Sequence, residues 1–419
     1  MTVKWLENAR QRELAAVLNS PVWTGPQRKT IEKMNQTWLL EGQRTATRKT
    51  KSRILRDYAQ FLKKPFEEAT RDDVKAYLAA VAARVTKGTL EGHKRVLKSF
   101  YRDLLRPEEP GHPHVVSWIR LTNPLKLGKR ITYEDLIKPH EIVAMANAAR
   151  HPRDRALIML LYDSGMRIGE LLGLRVKDIE FDQYGASANV TDGKTGARKV
   201  RLIHSIPDVQ QWLSIHPDKA HPEMPLFVKL ANRDQQPALL HDACRRILND
   251  AANAAGIKKP IWAHLFRHSN YEEWADTLGE DLARVRYGWD RFSPMPSLYR
   301  HRHEKQVDEV MLAKAGIKPK ESAETRSLAT RTCIRCQTVN SPAAAHCTRC
   351  SLPLDTKKLL LIGEEFEALK KELPALLELV RKQEKETQDA QVSGEERSIL
   401  HRRDLRHGLG GHLNARVGA

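Results

Sequence analysis

Apolar residues recur at three- and four-residue spacing along most of this chain, and only one short stretch alternates. That periodicity limits what the chain can fold into more than any other feature, because a 3.6-residue repeat buries one face of a helix and a two-residue repeat one face of a strand. Trp38, Leu39 and Leu40 open a region that continues with Ile54, Leu55, Tyr58, Phe61 and Leu62, then with Val74, Tyr77, Leu78 and Val81. Val96, Leu97, Phe100, Tyr101, Leu104 and Leu105 supply another apolar face, so the spacing predicts three or four helices over 37–105. Thr70 is suited to cap a helix beginning at Arg71, with Asp72 and Asp73 against its positive end. Pro107 to Pro113 breaks the block off, and a connector through Trp118 and Pro124 leads to a second domain near Ile131. Helical spacing returns at Ile142, Val143, Ala146, Leu157, Leu160 and Leu161, and again near 209–213, 239–254 and 260–277. Ala186 to Thr191 and Arg198 to His204 are strand-like, and Asp192-Gly193-Lys194-Thr195-Gly196 between them reads as a hairpin loop. The expected fold class is mostly α with a small antiparallel β-sheet (α+β).

The chain has 419 residues, enough for two or three domains with cores of their own. Its longest strongly apolar run, Leu157 to Leu161, is far short of the roughly 20 residues a membrane span needs. Met1 to Arg10 carries Lys4, Glu7 and Arg10 and has no secretory apolar segment, so neither membrane insertion nor export is expected. Lys and Arg number 71 against 52 Asp and Glu, a formal charge of +19. Such a surplus suits a polyanion, most simply nucleic acid. Its distribution favours that reading over a merely soluble surface. Between Pro26 and Arg106 there are 20 basic and 9 acidic residues, densest at Arg44, Arg48, Lys49, Lys51 and Arg53.

Four of the five cysteines lie within 18 residues, as Cys333-x-x-Cys336 and Cys347-x-x-Cys350. Two such knuckles supply four thiolates for tetrahedral zinc in a segment too short for a core of its own. Their clustering argues against a disulfide framework, and their pairing against a redox motif. His346 could in principle substitute for one thiol. With four Cys ligands no position stays open, so a structural metal in a reducing cytoplasm is expected. Cys244, in a helical segment, is expected to be simply buried. Leu359 to Lys385 is amphipathic and charged, with Pro374 expected to end or kink a helix.

Gly193-Lys194-Thr195 falls short of a P-loop. The first glycine of that motif would fall at Ala188, and the segment runs from strand to strand rather than strand to helix. No nucleotide cofactor is expected. By context alone Lys194 would be a solvated turn residue, and Tyr299 a core aromatic. Ser164-Gly165-Met166-Arg167-Ile168-Gly169-Glu170-Leu171 puts an arginine at a loop-to-helix junction with Glu170 three residues on to orient it. His264-Leu265-Phe266-Arg267 places His and Arg on one helix face. Gly288-Trp289 precedes Ser293-Pro294-Met295-Pro296-Ser297-Leu298-Tyr299-Arg300-His301, where prolines break the chain just before the tyrosine.

Taken in order over roughly 35–312, these residues resemble the tyrosine recombinase (phage integrase) family. The S-G-[LM]-R-x-x-E-L box matches Arg167, the hairpin lysine in G-K-x-x-x-[KR] matches Lys194, and H-x-x-R matches His264 and Arg267. The His-or-Trp position matches Trp289 and the nucleophile matches Tyr299. The phrase around Trp289 and Tyr299, followed by a zinc ribbon, looks most like archaeal members, although neither knuckle is followed by Gly. Spacing, composition and the resemblance together give the expected domain plan. It runs 1–25, an N-terminal helical extension; 26–125, a helical core-binding (SAM-like) domain that binds DNA; and 131–315, a catalytic domain. There follow 330–353, a zinc ribbon; 355–392, an amphipathic helical segment; and 393–419, a basic mobile tail.

The resemblance also implies a site-specific recombinase or integrase that cleaves and rejoins double-stranded DNA through a 3′-phosphotyrosyl link, without ATP or catalytic metal. A cytoplasmic homo-tetramer on synapsed sites is expected. In that chemistry Arg167 and Arg267 offer planar forks to phosphate, and Trp289 an indole donor. Tyr299 attacks, Lys194 protonates the leaving 5′ oxygen, and His264 assists proton transfer or holds the phosphate. The competing readings are a catalytically silent, zinc-containing DNA-binding regulator and a type IB topoisomerase-like nicking-closing enzyme.

Overall fold

The computed structural model describes residues 4–105, 110–122, 131–191, 193, 196–231, 238–300, 308, 311–312, 314–317, 328, 330–355 and 370–383. They form two compact units, Met1–Thr330 with Ser341–Ala343, and Arg331–Asn340 with Ala344–Ala419.

The first unit opens with helices α1 (Lys4–Leu18), α2 (Gly25–Leu40), α3 (Thr45–Leu62), α4 (Arg71–Ala82), α5 (Lys87–Leu105) and the single turn α6 (His114–Ser117). Thr70 caps α4 as expected, its hydroxyl accepting from the Asp73 amide while Asp73 accepts from the Thr70 amide. The same box occurs two helices earlier, between Thr24 and Gln27, so Trp38 to Leu40 close α2 rather than open a region. Trp38 is buried there, and Leu39 and Leu40 face solvent. Tyr58, Phe66, Tyr77, Phe100 and Tyr101 fill the core of this lobe, with the Tyr58 and Tyr101 hydroxyls 2.9 Å apart. The basic run on α3 is partly structural. Arg48 is buried and donates to Asn35 and Thr45, Lys49 pairs with Glu13, and Lys51 lies 4.4 Å from the Trp38 ring centroid. Arg44 and Arg53 are the exposed members.

A second lobe follows, with α7 (Pro139–Ala148), α8 (Pro152–Ser164), α9 (Ile168–Leu171), strands β1 (Ile179–Asp182), β2 (Gly185–Val190) and β3 (Arg198–Leu202), then α10 (Ile206–Ser214), α11 (His241–Ala254), α12 (Ala263–Tyr287) and α13 (Met295–Tyr299). The sheet is antiparallel in the order β1-β2-β3, with Ala186 opposite Leu202, Ala188 opposite Val200 and Val190 opposite Arg198. β1 escaped the sequence reading because only Ile179 of its four residues is buried, so no alternation marks it. The apolar run 157–161 belongs to α8, which is buried all round and packs against α7, α10 and α12. Each of its leucines contributes about 1.5–3 kcal/mol by leaving water. α12 is two helical runs joined across a kink at Gly279 (φ 65°), so the expected end at Thr277 lies two residues before the break and a second run goes on to Tyr287. Cys244 is buried within α11, as expected. α1 joins the lobes. Leu6 sits in the second lobe's core, Val17 in the first, and Trp5 Nε1 donates to the Leu172 carbonyl at 3.4 Å.

The second unit holds β4 (Arg331–Thr332) paired antiparallel with β5 (Val339–Asn340). It also holds a helix over 370–383 that continues through Pro374 instead of ending there. The tail at 393–419, expected to be mobile, lies outside the described residues.

Gly165 caps α8 with φ 58°, and a Cβ there would lie 2.4 Å from Asn270 Oδ1 and 2.7 Å from the Tyr287 ring. Gly256 has a similar φ of 72° with nothing within 4 Å of a Cβ. Gly256→Ala should therefore cost about 1 kcal/mol of backbone strain, and Gly165→Ala about 2–4 kcal/mol because overpacking adds to it. Urea denaturation of both variants measures the difference.

Candidate active site

The turn capped by Gly165 delivers Arg167 to the N-terminus of α9, where Glu170 accepts from its backbone amide at 3.0 Å and from its Nη1 at 2.8 Å. Arg198, from the start of β3, holds the same carboxylate at 2.7 and 3.2 Å. Burial alone would raise the Glu170 carboxyl, but the guanidiniums of Arg198 and Arg167 and the Arg167 amide hold it at about 2. Arg167 stays about a quarter exposed, with one long contact, 3.4 Å, to the Gly288 carbonyl. Part of its donor fork is open to a ligand.

α12 carries His264, Arg267, His268 and Tyr271 at helical spacing, which lines them on one face. Arg267 is completely buried. Its Nη1 donates to the Gly165 carbonyl at 2.9 Å and its Nη2 to the Tyr287 carbonyl at 2.6 Å, while Nε has no hydrogen-bond partner among the described residues. The guanidinium lies 5.1, 5.3 and 5.8 Å from the ring centroids of Tyr287, Trp289 and Tyr299. Burial, assisted by the Arg167 charge, lowers its pKa to about 10, so it remains a cation at neutral pH. Gly288, left-handed at φ 58°, ends α12 and turns Trp289 inward. The Trp289 ring stacks on Tyr287, and its buried indole N–H has no acceptor among the described residues.

Pro294 and Pro296 start α13, a helix of five residues that ends on Tyr299. The Tyr299 ring is buried, stacked on His268 (4.0 Å, 11°) and flanked by Trp289 at 5.0 Å. Its hydroxyl lies 2.7 Å from His264 Nε2. Burial raises the Tyr299 phenol, with Arg267 and Arg167 pulling the other way. His264 keeps an open outer edge, yet desolvation where it meets the site, then Arg267 and Arg167, lower its pKa to about 4. A neutral imidazole beside the phenol can accept its proton.

Of the residues singled out by sequence, Arg167, His264, Arg267, Trp289 and Tyr299 thus gather in one place. Lys194 lies outside the described residues. Its neighbours Gly193 and Gly196 stand in the β2–β3 connection, where a Cβ on Gly193 would come 2.3 Å from the Gly196 carbonyl oxygen. Sequence reasoning missed His268, whose signal was its position four residues after His264. It also missed Arg198, hidden as the second basic residue of the hairpin motif.

In the second unit the sulfurs of Cys333, Cys336, Cys347 and Cys350 all lie within 4.8 Å of one another. Gln337 and Ser351 follow the two knuckles with φ of 56° and 58°. The left-handed position usually given to glycine is therefore occupied by residues with side chains.

Two family models match the chain: the phage integrase family over residues 135–306, and the phage integrase N-terminal SAM-like domain over 30–109. Tyrosine recombinase XerC of Chlamydia caviae is 27% identical over 231 residues, 53% of this chain and 70% of the relative. Tyrosine recombinase XerA of Pyrococcus furiosus is 28% identical over 224 residues, 51% and 71% of the two chains. Among solved structures, a lambda integrase (75–356) dimer bound to a COC′ core site matches with a TM-score of 0.52, at 15% identity, over 66% of this chain and 96% of that one. A XerH post-cleavage complex matches with a TM-score of 0.51, at 16% identity, over 74% and 95%. The chain belongs to the phage integrase family. It is a tyrosine-type site-specific recombinase.

In the free protein, an NMR titration should place the His264 midpoint near 4, against an ordinary value of about 6.5. Because the folded chain binds this proton less readily than the unfolded one, stability present above pH 6.5 is lost as pH falls towards 4. His264→Gln should flatten that part of the curve of Tm against pH.

Proposed function

We propose that this recombinase cleaves and rejoins double-stranded DNA through a 3′-phosphotyrosyl intermediate. The observation that carries the reading is the 2.7 Å contact between the Tyr299 hydroxyl and His264 Nε2, beside two arginines with donors to spare. Tyr299 Oη forms the new bond to phosphorus as the bond to the 5′ oxygen breaks. His264 Nε2 takes the phenolic proton. Charge on the nonbridging oxygens is met by the open part of the Arg167 fork, by Arg267 Nε and by the Trp289 indole N–H. Lys194, on the hairpin, gives a proton to the departing 5′ oxygen. The bond energy stays in the phosphotyrosyl link, so rejoining needs no nucleotide cofactor and no catalytic metal. A silent regulator would have no use for a phenol held against a proton acceptor.

DNA is gripped between a core-binding domain at 26–125 and a catalytic domain at 131–315, in the cytoplasm. Among the described residues no helix is long and apolar enough to cross a membrane. A lambda integrase tetramer bound to a Holliday junction is among the similar folds, with a TM-score of 0.51 at 15% identity. That likeness favours a homo-tetramer on synapsed sites over a topoisomerase-like single protomer. The four cysteines hold a structural zinc in a ribbon at 330–353, an archaeal-type feature. Sulfurs at tetrahedral Zn–S distances stand about 3.8 Å apart. The pairs Cys333–Cys350 at 3.6 Å and Cys336–Cys347 at 3.5 Å fit that spacing. Zinc would tie the two knuckles together and do nothing at Tyr299.

Tyr299→Phe should abolish the covalent protein–DNA adduct on a suicide substrate and leave DNA affinity changed by less than about 1 kcal/mol. An adduct persisting in this variant means that another residue attacks. Cys333→Ser should drop bound zinc well below one per chain by elemental analysis, with adduct formation on the same substrate retained. Strict dependence of the adduct on bound zinc would overturn the structural assignment.

A further inference from the structure

On β3, alternation sends Val200 and Leu202 into the core, while Lys199 and Arg201 pair with Glu180 and Asp182 on the outer face. Arg198 shares the inner face, where the pattern calls for an apolar side chain. Its side chain is 8% exposed, and all three of its nitrogens donate. Nη2 and Nη1 donate to the two oxygens of Glu170 at 2.7 and 3.2 Å, and Nε donates to the Arg286 carbonyl at 3.0 Å. A charge this deep costs stability unless its geometry serves something. What it touches is the carboxylate that orients Arg167.

We propose that Arg198 is a positioning residue for Arg167, acting through Glu170. The bidentate grip fixes the carboxylate in the orientation that accepts from both the Arg167 amide and its Nη1, and so aims the rest of the fork at the phosphate. It also changes the charge balance. A lone Glu170–Arg167 pair would be neutral, whereas one carboxylate shared by two guanidiniums leaves a net positive charge for the nonbridging oxygens. Lysine has the charge but not the fork. A rival route exists, because a Cβ on Gly193 would lie 3.3 Å from Arg198 Nη1, so the loop carrying Lys194 passes close by. The proposal rests on the recombinase chemistry above.

The test is single-turnover cleavage by the full chain at saturating DNA, on ordinary suicide substrate and on one with sulfur at the bridging 5′ position, which leaves without a proton. Arg198→Lys should slow cleavage at least about tenfold on both substrates, the scale expected when a catalytic group is mis-aimed, with DNA affinity changed less than twofold. Glu170→Gln should show the same pattern. Arg198→Met with Glu170→Gln should be no slower than either single change, because the two act as one unit. That double variant also leaves no buried carboxylate unpaired, so it reports even where Arg198→Met alone fails to fold. In Arg198→Lys, carbon-detected titration should move the Glu170 carboxyl up from about 2.

Restoration of Arg198→Lys by the sulfur substrate would overturn the proposal in favour of the hairpin lysine. Wild-type rates in Arg198→Lys, or in the folded double variant, would also overturn it. Absence of any adduct with the unaltered chain would instead sink the recombinase chemistry. The Glu170 titration would then still decide whether Arg198 governs that carboxylate, an unmoved carboxyl counting against it.

Discussion

The second lobe is organised around one buried guanidinium. Arg267 is wholly out of water and, among the described residues, has no carboxylate within hydrogen-bond reach; two backbone carbonyls, Gly165 and Tyr287, and three aromatic rings surround it instead. Dipoles and ring faces offset part of its desolvation without cancelling its charge. The cation therefore remains available to an anionic ligand. Its two bonds also fix the shape of the site, since they pin the turn that delivers Arg167 and the end of the helix that precedes Trp289. A carboxylate partner would have solvated Arg267 better and disabled it.

Each functional side chain is set by a backbone feature that tolerates little change. Gly165 must be left-handed and lack a Cβ for α8 to turn under Asn270 and Tyr287. Gly288 ends α12 so that Trp289 faces back into the cluster. Two prolines start the short helix that carries Tyr299. With these features in place the phenol meets His264 and its ring stacks on His268. The low His264 pKa has the same origin as the cationic field, because Arg267 and Arg167 both disfavour a further positive charge. The two arginines thereby keep the imidazole beside the phenol neutral.

The basic surplus divides between surface and structure. Within the densest run, Arg48 is internal to the helical lobe, and Lys51 covers Trp38. Counting charges along the sequence overstated what α3 can offer a polyanion, since a long side chain can bury its stem and spend its head on a neighbour. Arg198 is the reverse case, a core-facing strand position given to a charge because a carboxylate has to be held.

Local information sufficed for the helices over 45–105, the β2–β3 hairpin and the cap at Thr70, because spacing and capping act over a few residues. The paired cysteine knuckles were legible for the same reason. β1 was not, having one buried residue in four, nor was the second helical run of α12, which begins across the kink at Gly279. Only the tertiary structure decided that Tyr299 meets His264 across 35 residues of chain, that Arg267 takes carbonyls 102 and 20 residues away, and that Glu170 is shared by two arginines. Those contacts depend on how α8, α12 and the sheet pack together, and packing is a property of shapes brought face to face that no spacing along a single chain encodes.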